Sequence, residues 1–191
     1  MKKLLLVSLL APSLAFAGAQ NAPYVGGQVG LFNKVDLEMN GISLNEDVDG
    51  VPLALFAGYE MAVADNVGLG FELEYRNLSD ANFQNVLKLE GQGVSLNLKP
   101  KFYIKDLPIY VGLVGGIGQY KTTATELITA NRETSDSTDL GWQYGVDFGY
   151  EAENGFAFTV GYRGVYIDFE EDGVDLNSTI SGLNAGIYYR F

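Results

Sequence analysis

Nine charged residues recur at even spacing inside runs that are otherwise apolar or rich in glycine. They are Glu60, Glu72, Glu74 and Asp147 on the acidic side and Arg76, Lys99, Lys101, Arg163 and Arg190 on the basic side. The 191-residue chain contains no histidine and no cysteine. It therefore offers no imidazole base, no thiol nucleophile and no conventional zinc site. Ser95 shares the phase of the charges, but only carboxylates could serve it as a base, and a hydrogen-bonded hydroxyl is the expectation. What the nine residues can do is pair. Charges of opposite sign confined away from water are costly singly and must find each other.

Two further groups are acidic without compensation. Residues 36–50 carry Asp36, Glu38, Glu46, Asp47 and Asp49, and residues 168–175 carry Asp168, Glu170, Glu171, Asp172 and Asp175, with no Lys or Arg in either stretch. Carboxylates suit calcium or magnesium, but neither stretch has the spaced ligand pattern of a calcium-binding loop. The expectation is two solvated, self-repelling loops without a bound metal.

The element that positions the charges is clearest at Val67-Gly68-Leu69-Gly70-Phe71-Glu72-Leu73-Glu74-Tyr75-Arg76. Odd positions are large and apolar, and even positions are glycine or charged. A strand sends alternate side chains to opposite faces, whereas a helix of period 3.6 would scatter them. Seven other runs read the same way: about 24–32, 53–61, 93–104, 109–120, 140–150, 156–166 and 179–191. The phase of 109–120 is obscured by glycine. Pro100 falls on the apolar phase of its run, where a missing ladder donor predicts a bulge.

The intervals between runs alternate strictly. Those at 33–51, 77–92, 121–139 and 167–178 are long, and those at 62–66, 105–108 and 151–155 are short. An up-and-down barrel in an outer membrane has short turns on one side and long loops on the other. A soluble sandwich has no reason to sort its loops by parity. The two walls agree, because the polar wall is mostly small or charged and the other is Leu, Val, Phe, Tyr and Trp. Eight strands enclose room for modest side chains only, which suits inward glycine. Aromatic residues gather toward strand ends (Tyr59, Tyr75, Phe102, Tyr150, Phe156, Tyr162, Tyr166, Tyr189, Phe191), as girdles at two membrane interfaces would. The fold predicted is all-β: an eight-stranded antiparallel up-and-down transmembrane β-barrel. The nine charges then plug a narrow lumen, although the same residues could form a selectivity lining or gate. In the plug, antiparallel register is predicted to set Glu72 opposite Lys99. A bulge at Pro100 would hand the role to Lys101 or Arg76.

The first residues read as a secretory signal. Lys2 and Lys3 precede the apolar run Leu4–Ala11, and Ala15-Phe16-Ala17 forms a small-residue cleavage site. Two parts are expected, a signal peptide over 1–17 and a barrel domain over 18–191. Removal of Lys2 and Lys3 takes the formal charge from -12 to -14, which argues against a nucleic-acid partner. Without cysteine, stability outside the cytoplasm must come from the fold itself.

The last strand, Leu183-Asn184-Ala185-Gly186-Ile187-Tyr188-Tyr189-Arg190-Phe191, resembles the C-terminal strand of outer-membrane barrels. In that family a terminal phenylalanine preceded by alternate apolar residues, here Ile187, Tyr189 and Phe191, is read by the barrel-assembly machinery. Pro108–Gly118 is similar to the glycine-rich fifth strand of small OmpA-like and opacity-type barrels. The resemblance implies residence in a Gram-negative outer membrane among lipid and lipopolysaccharide. It implies a structural or surface-interaction role such as adhesion or membrane integrity, with a host or surface ligand as a possible contact of the outer loops. It also implies no cofactor. The known small-barrel enzymes resemble one another in using a histidine, so no enzymatic activity is expected. OmpW-type barrels supply the alternative, a narrow channel for small or hydrophobic solutes. The resemblance is to barrels that lack a peptidoglycan-binding domain, so no cell-wall tether is expected.

Overall fold

A computed structural model describes residues 18–39, 42–83, 86–127, 134–171 and 174–191. The signal segment 1–17 and Asp172 lie outside the described residues. Nine antiparallel strands form one sheet: β1 (Ala22–Met39), β2 (Ile42–Asp49), β3 (Leu53–Ala64), β4 (Val67–Phe83), β5 (Leu87–Tyr103), β6 (Ile109–Glu126), β7 (Thr134–Glu151), β8 (Phe156–Glu171) and β9 (Val174–Arg190). The sheet closes on itself where β1 pairs with β9, from Tyr24↔Arg190 to Met39↔Leu176.

Eight strands were expected, and the ninth has a local cause. β1 pairs with β3 over Ala22–Val29 and with β2 over Lys34–Met39. β4 pairs with both of them. β2 and β3 thus occupy a single position in an eight-position barrel. Gly50 at φ +90 interrupts them, followed by Pro52, which has no N–H to give to a ladder.

The intervals read as long loops are mostly strand. β4 runs to Phe83 and β5 resumes at Leu87, while β8 and β9 are paired out to Glu171↔Val174. The long connections are therefore hairpins that continue the barrel wall, and the acidic stretches lie on them.

The alternation sorts side chains as the sequence implies. Leu55, Leu73, Leu96, Ile117, Phe148 and Phe158 point outward and are exposed, while the charged residues of the same strands are buried. A wall of this kind is stable only against lipid, because water would meet a continuous apolar belt. β6 resolves with odd residues outward and even residues inward.

Toward the long-hairpin end the pattern inverts. Val35, Leu37, Leu78, Ala81, Val165 and Ile167 are buried inside, while Asp36, Glu38, Asp47, Asp49 and Asp168 face out. Outside the lipid, the outer face meets water and the interior becomes an ordinary apolar core. Three neighbouring positions reset their phase at one level. β1 slips between Leu31 and Lys34, with Phe32 at φ 53; β2 and β3 break at Gly50–Pro52; and β4 slips between Asn77 and Ser79, with Ser79 at φ 64. They are tied together there, since Ser79 Oγ donates to Asp49 O (2.7 Å) and Gly30 N donates to Pro52 O (2.8 Å). β8 inverts by composition alone, from Arg163 to Val165 and Ile167 on its inner face.

The bulge expected at Pro100 does not form. Leu69↔Pro100 continues the β4–β5 register unbroken, and the β5–β6 register is the same on either side, at Leu98↔Gly115 and Lys101↔Gly112. The missing donor thins the ladder without shifting it.

Candidate functional site

All nine lumen charges named from the sequence are buried on the inner wall, and Glu151 joins them. Among the described residues this gives five buried acids and five buried bases. A balanced set is what confinement requires, because any surplus charge would stay uncompensated.

The ten fall into two groups. Near the short-turn end, Lys101 Nζ lies 2.6 Å from Glu60 and 3.5 Å from Glu151. Glu151 also pairs with Arg190 at 2.5 Å. Tyrosines complete the group. Tyr103 Oη donates to Glu60 (2.7 Å) and lies 3.1 Å from Glu151, and the Tyr188 hydroxyl donates to Glu151. Lys101 Nζ sits 5.2, 4.7 and 4.8 Å from the ring centres of Tyr24, Tyr110 and Tyr188. The ring faces stabilise the ammonium where water is scarce. Glycine makes room for these rings, since a Cβ at Gly149 would collide with Tyr110 and one at Gly58 with Tyr24.

Further up the barrel, Lys99 bridges Glu72 (3.1 Å) and Asp147 (3.4 Å). Arg163 reaches Asp147 (3.4 Å) and Glu74 (3.6 Å), and Arg76 holds Glu74 at 2.8 Å. Amides stitch the remainder. Gln28 Nε2 donates to Glu74 (3.1 Å), Asn97 Nδ2 to Glu72 (3.2 Å), and Gln143 Nε2 to Ser95 Oγ (2.6 Å). Ser95 is thus a hydrogen-bonded hydroxyl beside amides.

The expected register is corrected here. Glu72 stands opposite Asn97, and Lys99 opposite Gly70. The ion pair forms along the diagonal, which lies within reach of a long side chain. The slip at Asn77–Ser79 leaves Leu78 without a partner on β5 and displaces the register below it.

Sequence reading missed Glu151, which it assigned to a turn, and the inward rings of Tyr24, Tyr103 and Tyr110. Glu151 continues the odd inner phase of Gln143, Asp147 and Gly149, and that periodicity was the available signal.

The acidic stretches are not brought to one point. Asp36, Glu38, Asp47, Asp49 and Asp168 are exposed and Glu46 is half-buried; Glu170, Glu171 and Asp175 occupy the ends of β8 and β9. Among the described residues no group of three potential ligands is placed to hold a metal ion. On the last strand, Ile187 is exposed toward lipid. The Tyr189 ring packs edge-on against Phe156 and Phe191, each at 5.1 Å.

Apolar outside, charged within and closed without an edge, the chain is a transmembrane β-barrel. It belongs to the family of outer membrane protein beta-barrel domains, which it matches over residues 4–191. No curated protein sequence matches it. Among solved structures it is similar to Neisserial surface protein A, with 15% identity, 90% of this chain and 100% of that chain covered and a TM-score of 0.57. It is similar also to a major outer membrane protein of Thermus thermophilus, with 15% identity, 90% and 100% coverage and a TM-score of 0.54. The outer membrane protease OmpT of Escherichia coli is a third, with 10% identity, 94% and 99% coverage and a TM-score of 0.53. At these identities the likeness is one of fold. The short turns then lie on the periplasmic side and the long hairpins outside.

Proposed function

We propose that the protein is a closed barrel whose lumen is plugged by its own side chains, and that its work is done at the cell surface by the projecting hairpins. The observation that carries this reading is the balanced set of ten buried charges, each paired, across a bore that eight positions leave narrow. The role is structural or interactive: membrane integrity, adhesion or recognition, in contact with lipopolysaccharide and with a host or surface ligand. Maturation removes residues 1–17, and Ile187, Tyr189 and Phe191 present the strand that the assembly machinery reads. No step of this role calls for catalysis or a cofactor.

Solute flux tests the plug. Liposomes holding the refolded barrel are expected to resist swelling in small sugars; rapid swelling would favour a narrow channel instead. The surface role is tested by replacing residues 122–138 with a tight turn. That barrel is expected to insert normally and to lose binding to lipopolysaccharide vesicles or host cells, and undiminished binding would move the role elsewhere.

A further inference from the structure

We infer that ions are stopped by the apolar storey above the charged plug and not by the plug itself. This rests on the closed lumen proposed above and assigns the barrier within it.

The charged storey ends at Arg76, whose Nη1 donates to Asn184 at 3.4 Å. Immediately above, Leu78, Tyr120, Val165 and Ile167 form a buried cluster with Ile180 against it. Val35, Leu37 and Ala81 form a second cluster that shares Ile180. The two clusters together draw on β1, β4, β6, β8 and β9, so apolar side chains reach into the bore from much of its circumference. The Tyr120 ring is pressed between strands at two glycines, since a Cβ at Gly93 or Gly141 would collide with it.

The two storeys treat an ion differently. In the lower one, an entering cation or anion meets carboxylates, guanidiniums, amides and hydroxyls that can exchange partners. Water belongs there too. Arg76 Nη2 and Arg163 Nε are buried donors without a hydrogen-bond partner among the described residues, and such groups are met by water. On the periplasmic side the network opens to a mouth of about 560 Å³ lined by Tyr103, Asp106, Glu151, Glu153 and Arg190. In the upper storey an ion would have to shed its hydration among side chains that are mostly aliphatic, where among the described residues only the hydroxyls of Tyr120, Thr122 and Ser178 could replace part of it. Apolar constrictions close pores to ions by expelling water. The lumen is therefore a polar vestibule reached from the periplasm, under an apolar lid on the outer side.

The test compares two variants of the full chain in planar bilayers, each first shown to be folded by its unheated gel mobility. Val165→Thr polarises the lid with almost no change of shape, and Ile167→Thr adds a second hydroxyl while removing one methyl group. Glu72→Gln with Lys99→Met removes both ion pairs of Lys99 from the plug, leaves Asp147 its pair with Arg163, and leaves the lid intact. The lid variant is expected to raise ion current on the order of tenfold, the change that a barrier lowered by about 1.4 kcal/mol produces. The plug variant is expected to stay within about twofold of the unmodified protein, well under the energy of that step. A rise confined to the plug variant, an equal rise in both, or no rise in the lid variant would each overturn the assignment. Should Val165→Thr with Ile167→Thr not fold, Val35→Thr alone is read by the same criterion. A large steady current in the unmodified protein would instead refute the closed lumen, which keeps the two failures distinct.

Discussion

Replacing Lys101 by methionine removes a buried cation that two carboxylates share. The side chain is nearly devoid of solvent and touches two carboxylates and three tyrosine rings. Methionine keeps the length and removes the charge. Glu60 is then left with the Tyr103 hydroxyl alone, at 2.7 Å, whereas Glu151 retains Arg190 and the Tyr188 hydroxyl. One acid is thus stranded and one is not. Breaking a buried pair from one side costs roughly 3–5 kcal/mol. Loss of the ring contacts adds about 0.5–2 kcal/mol. With a urea slope of about 1–3 kcal/mol per molar, the midpoint should fall by more than about 1 M. Equilibrium unfolding in urea over lipid vesicles, followed by Trp142 fluorescence, reads this directly. The second arm is Glu60→Gln, alone and combined with Lys101→Met. Because the double variant strands no acid at Glu60, it should recover part of the loss, with a coupling on the order of 1–3 kcal/mol. A midpoint within about 0.3 M of the unmodified protein, or strictly additive losses, would refute the pairing argument.

Three other outcomes follow from the geometry. Gly149→Val should lower the unfolding midpoint more than Gly115→Val, because a Cβ at Gly149 collides with the Tyr110 ring while one at Gly115 meets nothing; equal effects would contradict the seating of Tyr110. Ile167→Ala should cost about 2–5 kcal/mol by opening a cavity in the outer core, read by urea titration, and a loss below about 0.5 kcal/mol would show that this storey is not packed. Asp136, on an outer hairpin, accepts from Lys121 (2.8 Å) and Thr123 (2.7 Å), and these bonds hold its carboxyl below the usual carboxylate value. Its contribution is present above the unfolded pKa and is lost as pH falls through the lowered folded one. In Lys121→Ala with Thr123→Ala the carboxyl should titrate at its ordinary value by NMR, and an unchanged titration would remove the bonds from the explanation.

The parts of the fold that show in the sequence are those where lipid imposes one rule. From Val67 to Arg76 every odd side chain meets hydrocarbon, so alternation survives without exception. Beyond the membrane that rule lapses. The hairpin strands carry polar residues outward and apolar residues inward, and with polar turns between them they resemble loops. The inversion is also hidden by slips that restart the phase, at Phe32 and Ser79, both non-glycine residues at positive φ that local propensity does not mark. Register failed for a related reason: the expected pairing is off by two residues, one because the hairpin pairs Phe83 with Leu87 and one because the unpaired Leu78 displaces every rung below it. Pro100 misled in the opposite sense, since the barrel absorbs a missing donor without a bulge. The charges themselves were legible because a small lumen admits them only in pairs. The tyrosine cage around Lys101 was not, since its three rings come from β1, β6 and β9, and only closure of the sheet brings them together.

The closed lumen is the central claim, and single-channel recording of the refolded, unmodified chain tests it most directly. The expected record is a quiet baseline with rare, brief openings of small amplitude. Large, steady, porin-like current would contradict it.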